Sequence, residues 1–448
     1  MWFLLIATIL LSVAWRLVAS EKMRSMLMPW ALAVIILNVS CSQFYMGVLH
    51  AMLALTNYGA WIICLDGLEM GKRRSRNACW CAFIVFWGYM ILSSFWGHYA
   101  FKGMAAVLHA YLTTFCVGYY LSCWACRTNG SLRRINLTIA LSSIVIGYLY
   151  LRHGAFMALE DGVQARAGFD LETLDQDVKT NVNYTALCMC TILPFLLVSV
   201  MTAAHSRSQI IIKFISVIGF LLCCMVLIRT GARNGGLAVF PLVLYFLFST
   251  TNRAKKRKRR WLFVAVGILS VAAVAYTMRG ATEIRAFNLR TNASSGYVDD
   301  LNEISSGRVG WWIREYKAMK PLQRLIGRGF EKTALNERGR VSLGNYHSIF
   351  VLVFFHAGLI GLFLFLTFIL SFYAIAMRKG DRGRMAMMFF SVWLLTGVGE
   401  AWGATGGATA VLAGFAVALC GNGAVLNVEL LNDSERTLHI ARYGWRRG

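Results

Sequence analysis

Long apolar runs separated by short polar segments dominate the chain. Most of these runs approach the ~20 residues that a helix needs to cross a bilayer. The pattern therefore predicts an all-α, polytopic membrane protein with about 12 to 13 transmembrane helices. The predicted membrane runs are 2–15, 26–41, 44–65, 79–95, 104–126, 135–151, 183–203, 214–228, 236–250, 261–277, 347–375, 385–400 and 407–427.

Composition narrows the class of protein. Of the 448 residues 58% are apolar and 15% are charged, whereas soluble domains carry about 25% charged residues. These values exclude a soluble enzyme and a disordered protein. A disulfide framework is also excluded, because no cysteine lies in the long polar segment 278–346. Pairs such as Cys79 and Cys81 lie in or beside apolar runs without a matching His or Cys partner, so neither a metal site nor a cofactor is predicted.

The distribution of basic residues orients the chain in the membrane. Alternate loops are all basic, and together with the tail 428–448 they hold 27 of the 45 Lys and Arg residues. Such loops are typical of the cytoplasmic side, so we expect an external N-terminus, a cytoplasmic tail and an odd number of spans. The densest run, 251–260, is interpreted as a topology anchor, with lipid-headgroup binding as the second interpretation. The net charge of +24 then implies no nucleic-acid partner.

Two long outer loops follow from this orientation, 152–182 and 278–346. The second has twelve basic and seven acidic residues, and such a basic surface beside a membrane suits an anionic, lipid-linked substrate. Within it, Ser306 to Pro321 reads as a surface helix that proline ends, with Trp311, Trp312 and Tyr316 at headgroup level. The predicted divisions are N-terminal helices with the first outer loop (1–182), central helices (183–277), the long outer loop (278–346), C-terminal helices (347–427) and the cytoplasmic tail (428–448).

Two arginines stand in the turn 229–236, at the outer junction of two apolar runs. Guanidinium groups grip phosphate oxygens bidentately, and the glycines of this turn let backbone approach a ligand. Arg229 is explained well by a side chain that reaches to the membrane interface. Arg233 would begin the returning span between small residues, and there a functional role is favoured.

Three further residues are candidates for the chemistry. Arg308 precedes the Trp-rich helix, and composition alone would make it one interfacial arginine among many. His347 begins the run 347–375 and could accept a proton from a hydroxyl, although a helix-capping role is also open. Glu400 lies at the outer end of a span and could pair with Arg233 or Arg308, or contact an acceptor.

The segment that starts at His347 resembles a family signature. His347-Ser348, nine further positions and Gly358-Leu359-Ile360-Gly361 resemble the signature of the bacterial O-antigen ligase and O-antigen polymerase superfamily. Other segments fit that family in order, over about residues 160 to 375. They are Arg166-Ala167-Gly168, Asn181-Val182-Asn183, Thr230 to Gly235, Ser306-Gly307-Arg308 with Trp311, and Ile326 to Phe330. Ala232 and Asn234 depart from the family's Ser-Arg-Gly turn.

The resemblance implies a glycosyltransferase-C-like membrane enzyme. It would use undecaprenyl-diphosphate-linked glycans at the periplasmic face of the bacterial inner membrane. His347 would be the base, and Arg233 and Arg308 would bind the diphosphate of the donor. Arg166, Asn183 and Arg229 would be secondary candidates. The reaction implied is metal-independent and needs no cofactor, and a single displacement would invert the anomeric centre.

Three functions remain open from the sequence. An O-antigen ligase would move the glycan to a lipid A-core sugar, whereas a polymerase would add it to another lipid-linked unit. A polymerase needs a second lipid-diphosphate site, and the nine arginines of 278–346 keep that alternative open. A transporter of lipid-linked glycans would predict charges at mid-membrane and internal repeats, and the sequence shows no repeat.

Overall fold

The computed structural model describes the chain in ranges. They are residues 78–97, 129–156, 167–169, 182–201, 207–230, 233–249, 308–329, 347–399 and 410–421, with single positions at 10, 13, 14, 17, 18, 20, 23, 104 and 107. The helices are α1 Ala78–Ser93, α2 Asn129–His153, α3 Val182–Met201, α4 Arg207–Thr230, α5 Arg233–Ser249, α6 Arg308–Ala318, α7 Pro321–Ile326, α8 Ile349–Met377, α9 Gly380–Gly399 and α10 Ala410–Gly421. A 3-10 turn, Ser94–Trp96, follows α1.

Eight of these helices coincide with predicted apolar runs, so the helical character of those runs is confirmed. Two helices in the described ranges are long and apolar enough to cross a membrane, Arg207–Leu227 and Ile349–Met377. The predicted runs 26–41, 44–65 and 261–277 lie outside the described residues, and the number of spans stays a prediction. Apart from the helices, the described regular structure is a short antiparallel pair, β1 Gly154–Phe156 and β2 Ala167–Phe169.

Aromatic residues at helical spacing fasten α8 to its neighbours. Phe365, Phe368 and Phe372 recur every three or four positions, which places them on one face of the helix. Phe372 stacks on Phe390 of α9 with ring centroids 3.9 Å apart. Phe368 lies 5.2 Å from Phe83 of α1, again between ring centroids. All five rings are fully buried, so they form the core between α1, α8 and α9.

The contacts also fix the relative directions of the helices. Phe365 meets Trp393 while Phe372 meets Phe390, so α8 and α9 are antiparallel. Arg384, near the start of α9, lies within electrostatic range of the Tyr245 hydroxyl near the end of α5. The helix α5 packs on α9 and is therefore antiparallel to it.

The remaining helices follow the same alternation. Phe86 meets Phe365 while Phe83 meets Phe368, so α1 is antiparallel to α8. Ser199 of α3 and Ser216 of α4 share a buried hydrogen bond of 2.8 Å across an antiparallel pair. Gly147 of α2 lies against Leu222 of α4, and Gly219 of α4 lies against Ser143 of α2, so α2 and α4 run in parallel.

Two ends of the bundle can therefore be named. The basic end carries Arg207, Arg378, Lys379, Arg382 and Arg384. The opposite end, called here the His347 end, gathers the starts of α3, α5 and α8 and the ends of α1, α2, α4 and α9. The consecutive helices α3, α4 and α5, and likewise α8 and α9, therefore run in opposite directions.

Candidate active site

His347 occupies a left-handed turn immediately ahead of α8. Its φ is 52°, which makes it the one non-glycine residue with positive φ among the described residues. Ser348 then returns to extended geometry as the N-cap of α8, with φ −150° and ψ 131°, and is buried. Left-handed backbone is uncommon for residues with a Cβ and concentrates at functional sites. The predicted run began at His347, but the helix begins at Ile349, so the half-buried His347 lies in the turn outside it.

The other predicted residues fall at several helix ends. Arg308 is the first residue of α6 and is half-buried. Arg233 is the first residue of α5, Arg229 is in the last turn of α4, and Asn183 is the second residue of α3. These last three positions share the His347 end of the bundle. Their side chains, like the whole of Arg166 and Glu400, lie outside the described part of the chain; Gly399, just before Glu400, ends α9 at the same end.

The predicted helix is present and packs on α8, and its position along a membrane surface stays a prediction. It ends at Ala318, and Pro321 then begins the short helix α7, where the backbone N–H of Lys320 donates to Gln323 Oε1 at 3.0 Å. An apolar cluster joins α6 to the first half of α8. It consists of Met319, Leu352 and Phe355 with Trp311, Trp312, Val351 and Phe354 packed around them. Trp311 and Trp312 are thus half-buried against protein, whereas Tyr316 is 44% exposed and fits the predicted headgroup position better.

An ion pair joins buried Arg328, in the turn after α7, to partly buried Glu315 of α6. Arg328 is 6% exposed, and its Nη1 donates to Glu315 Oε2 at 2.6 Å. Its Nη2 donates to the backbone carbonyl of Glu315. The guanidinium carbon lies 5.7 Å from the centroid of the Phe355 ring. One side chain therefore connects the turn after α7 with α6 and α8.

The turn after α7 packs against a break in α8. Gly358 has φ 67° and ψ −163°, which interrupts the helix that the sequence predicted as one continuous run. In an unbroken helix the carbonyls of Phe355 and His356 would accept from amides four residues later. Here they accept instead from the backbone N–H groups of Arg328 and Gly329, both at 2.9 Å.

Three glycines make this close approach possible, and we call Gly327, Gly329 and Gly358 the glycine junction. All three have positive φ. A Cβ on Gly327 would collide with the carbonyl of His356, and one on Gly358 would collide with the backbone of Leu325 and Gly327. A Cβ on Gly329 would lie 2.5 Å from the carbonyl oxygen of Ser93. The junction therefore holds three elements, α1, α7 and α8, at backbone contact distance.

The second half of the His347 signature now has a structural explanation. Nine residues of α8 separate Ser348 from Gly358, and this is the segment on which α6 and α7 pack. A Cβ on Gly361 would collide with the Cβ of Ala357, whereas Cε1 of Tyr89 on α1 would lie at an ordinary contact distance of 3.6 Å. The Tyr89 hydroxyl donates to the carbonyl of Ile326 at 3.4 Å.

Sequence reasoning missed Glu315 and Arg328. They stand thirteen positions apart on different elements, so no helical spacing connects them. The signal available in the sequence was Gly327-Arg328-Gly329, because glycines on both sides of an arginine indicate that the backbone there packs closely against another segment. An isolated glycine inside an apolar run, as at Gly358, is likewise a signal for a kink.

The helix starts that lie at the His347 end favour anions. Helix starts present unpaired N–H groups and the positive end of the helix dipole. Helices α5 and α8, which begin at this end, have no acidic residue in their first turns, and α5 begins at Arg233. Helix α6, which packs on the first half of α8, also begins at an arginine and has no acidic residue in its first turn. Glu315, the acidic residue of α6, is neutralised by Arg328. Within the described ranges no three His, Cys, Asp or Glu residues gather closely enough to hold a metal ion.

A family model matches the part of the chain that contains these candidate residues. Residues 218–366 match the family described as O-antigen ligase, which is about one third of the chain. The matched segment runs from the middle of α4 to the middle of α8 and includes Arg233, Arg308, His347 and the glycine junction. A search of curated proteins finds no match. This match supports a place for the chain in the O-antigen ligase and polymerase superfamily of membrane glycosyltransferases.

Proposed function

We propose that the protein is an O-antigen ligase-type glycosyltransferase. It moves a glycan from undecaprenyl diphosphate to a sugar of lipid A-core at the periplasmic face of the bacterial inner membrane. The observation that carries the proposal is the composition of the His347 end. There the family-matched segment supplies the starts of α5 and α8, which have no acidic residue in their first turns, and a histidine in a left-handed turn.

The arginines receive the diphosphate. As the glycosidic bond to phosphate breaks, negative charge develops on the phosphate oxygens of the leaving lipid diphosphate. Arg233 and Arg308 each begin a helix, so a guanidinium and a helix dipole act on that charge together. Fixed cations stabilise the transition state without reorganisation, which makes the step metal-independent in this proposal.

His347 serves as the general base. The hydroxyl oxygen of the acceptor attacks the anomeric carbon, the bond from that carbon to the phosphate oxygen breaks, and the hydroxyl proton passes to the imidazole of His347. One displacement of this kind inverts the anomeric centre. Arg166, Asn183, Arg229 and Glu400 are secondary candidates for contacts to donor or acceptor, and Asn183 and Arg229 belong to helix ends at the same end of the bundle.

The orientation in the membrane follows from charge. Arg207, Arg378, Lys379, Arg382 and Arg384 all lie at the basic end, opposite His347. Basic short loops favour the cytoplasm, so the His347 end faces the periplasm, where a glycan on undecaprenyl diphosphate would meet lipid A-core.

The test is a transfer assay with purified full-length protein, a chelator and a lipid-diphosphate glycan as sole donor. Lipid A-core is added or omitted. We expect product only with lipid A-core, and its loss in His347→Ala. His153→Ala is the matched control, because α2 ends at His153 at the same end of the bundle. Full activity of His347→Ala would show that His347 is not the general base.

A polymerase is the alternative function. The nine arginines of 278–346 favour it, because extension of a lipid-linked glycan needs a second diphosphate site. In the same assay a polymerase would lengthen the lipid-linked glycan without lipid A-core. No product under either condition would favour a transporter of lipid-linked glycans instead.

A further inference from the structure

We infer that Glu315 and Arg328 form a positioning pair for the transfer reaction. Their ion pair holds α6, which begins at Arg308, against the part of α8 that begins beside His347. The inference rests on the proposed function, since it gives the pair the task of placing a donor-binding arginine relative to the base.

Arg328 is engaged by protein groups on several sides. Its two terminal nitrogens donate to the carboxylate and the carbonyl of Glu315, and its plane lies near the ring of Phe355. With 6% of its surface exposed, this guanidinium has little room for the oxygens of a diphosphate. It belongs to the family-matched segment, but its contacts are those of an internal clamp and not of a ligand site.

The clamp acts where side chains join α6 to its described neighbours. One of them is Arg324 of α7, whose guanidinium carbon lies 4.5 Å from the centroid of the Tyr316 ring. The turn after α7 is fixed by backbone hydrogen bonds to Phe355 and His356 and by the glycine junction. Helix α6 meets α8 through aromatic side chains, and the bonds from Arg328 to Glu315 connect α6 to the fixed turn. Without these bonds, α6 would lose the ion pair and the carbonyl contact that fix Glu315 relative to this turn.

A small rotation of α6 about Glu315 would displace Arg308 at the start of the helix. Glu315 and Arg308 are seven residues apart, which in a helix is a rise of about 10 Å. A rotation of roughly 10° about Glu315 would therefore move Arg308 by about 2 Å. Misplacement of about 1 Å can reduce a reaction rate by roughly 100-fold.

Kinetics of full-length protein in nanodiscs test the pair. For Glu315→Gln and Arg328→Met we expect kcat to fall about 10- to 100-fold, by more than the donor KM rises. The double variant should lose no more than either single variant, because both remove one interaction. Arg328→Lys should be intermediate, since an ammonium keeps the charge but not the forked geometry. The control Arg314→Gln, at an exposed position on α6, should retain wild-type kinetics.

A second measurement does not depend on activity. The rings of Tyr316 and Phe354 lie 6.0 Å apart, so the pair Tyr316→Cys and Phe354→Cys can be joined by a short thiol cross-linker. Phe354→Cys alone is the background control. Adding Glu315→Gln or Arg328→Met should lower the cross-linking yield, whereas Arg314→Gln should not.

The outcomes separate the two proposals. Wild-type protein that transfers no glycan would overturn the proposed function and with it the catalytic purpose of the pair, even if cross-linking fell as expected. In an active enzyme, unchanged kcat and cross-linking in Glu315→Gln and Arg328→Met would overturn the positioning pair alone. A raised donor KM confined to Arg328 variants would make Arg328 a donor ligand and would also overturn it.

Discussion

At the scale of residues, His347 makes two contributions that can be measured separately. One is its imidazole as the proposed base, and the other is the strain of its left-handed backbone. A left-handed φ of 52° strains any residue with a Cβ, whereas glycine adopts it freely. We expect His347→Gly and His347→Ala to lose transfer activity equally, by about 100- to 10,000-fold, because both lack the base. His347→Gly should nevertheless unfold at higher temperature than His347→Ala, by an amount that corresponds to roughly 1 kcal/mol. Paired activity assays and thermal unfolding curves measure both effects, and equal Tm values would contradict the strain.

The proposed diphosphate ligands give a second prediction at this scale. Lysine keeps the charge of arginine but cannot form two parallel hydrogen bonds to phosphate. Arg233→Lys and Arg308→Lys should therefore raise the donor KM or lower kcat/KM by roughly 10-fold or more, an effect of about 1.4 kcal/mol. Arg314→Lys, six positions along the same helix as Arg308 and exposed, is the control. Steady-state kinetics that did not distinguish the three variants would remove these two arginines from the donor site.

At the scale of elements, the break in α8 depends on glycine. Gly358→Ala combines a left-handed φ with a collision against the backbone of Leu325 and Gly327. We expect a loss of more than about 2 kcal/mol in the free energy of unfolding, because backbone cannot yield as a flexible side chain does. Gly88→Ala on α1 is the matched control, since its Cβ would meet nothing within 4 Å. It should be neutral or slightly stabilising, as alanine favours helix. Thermal unfolding in detergent compares the two, and equal loss would contradict the close packing.

The elements themselves could largely be predicted, whereas the segment that packs against the break in α8 could not. The apolar runs around Phe365 and Phe389 gave the helices, because local periodicity and length are properties of the sequence. The apolar run 347–375 gave no indication that Gly358 has a backbone neighbour, since that neighbour, Leu325, comes from a distant segment. Trp311 and Trp312 were likewise expected at headgroups, because their packing partner Leu352 is also far along the chain.

At the scale of the whole molecule, orientation is the property to test. The basic end should face the cytoplasm, so a cysteine at exposed Arg378 should be protected from an impermeant thiol reagent in intact inner membranes. A cysteine at Tyr316, 44% exposed, should react from the outside. The parent protein measures the background from native thiols. Reversed labelling would place His347 in the cytoplasm and contradict the proposed site of transfer.

The candidate site could be predicted only in part from the sequence. Arg233, Arg308 and His347 were chosen from motifs, and the directions of α5, α8 and α9 place Arg233 and His347 at one end of the bundle. The pairing of Arg328 with Glu315 could not be read from the sequence, because a buried ion pair depends on which elements the fold brings together.

The nine residues between Ser348 and Gly358 set the distance from His347 to the break in α8. Their number therefore matters more than their identity. Gly358 is fixed by its backbone neighbours, so His347 stands at a set height and a set angle about the helix axis. One inserted residue would turn that angle by about 100° and add about 1.5 Å. Substitution of one apolar residue by another within the segment would change neither. The spacing should therefore tolerate changes of side chain far better than a change of length by a single residue.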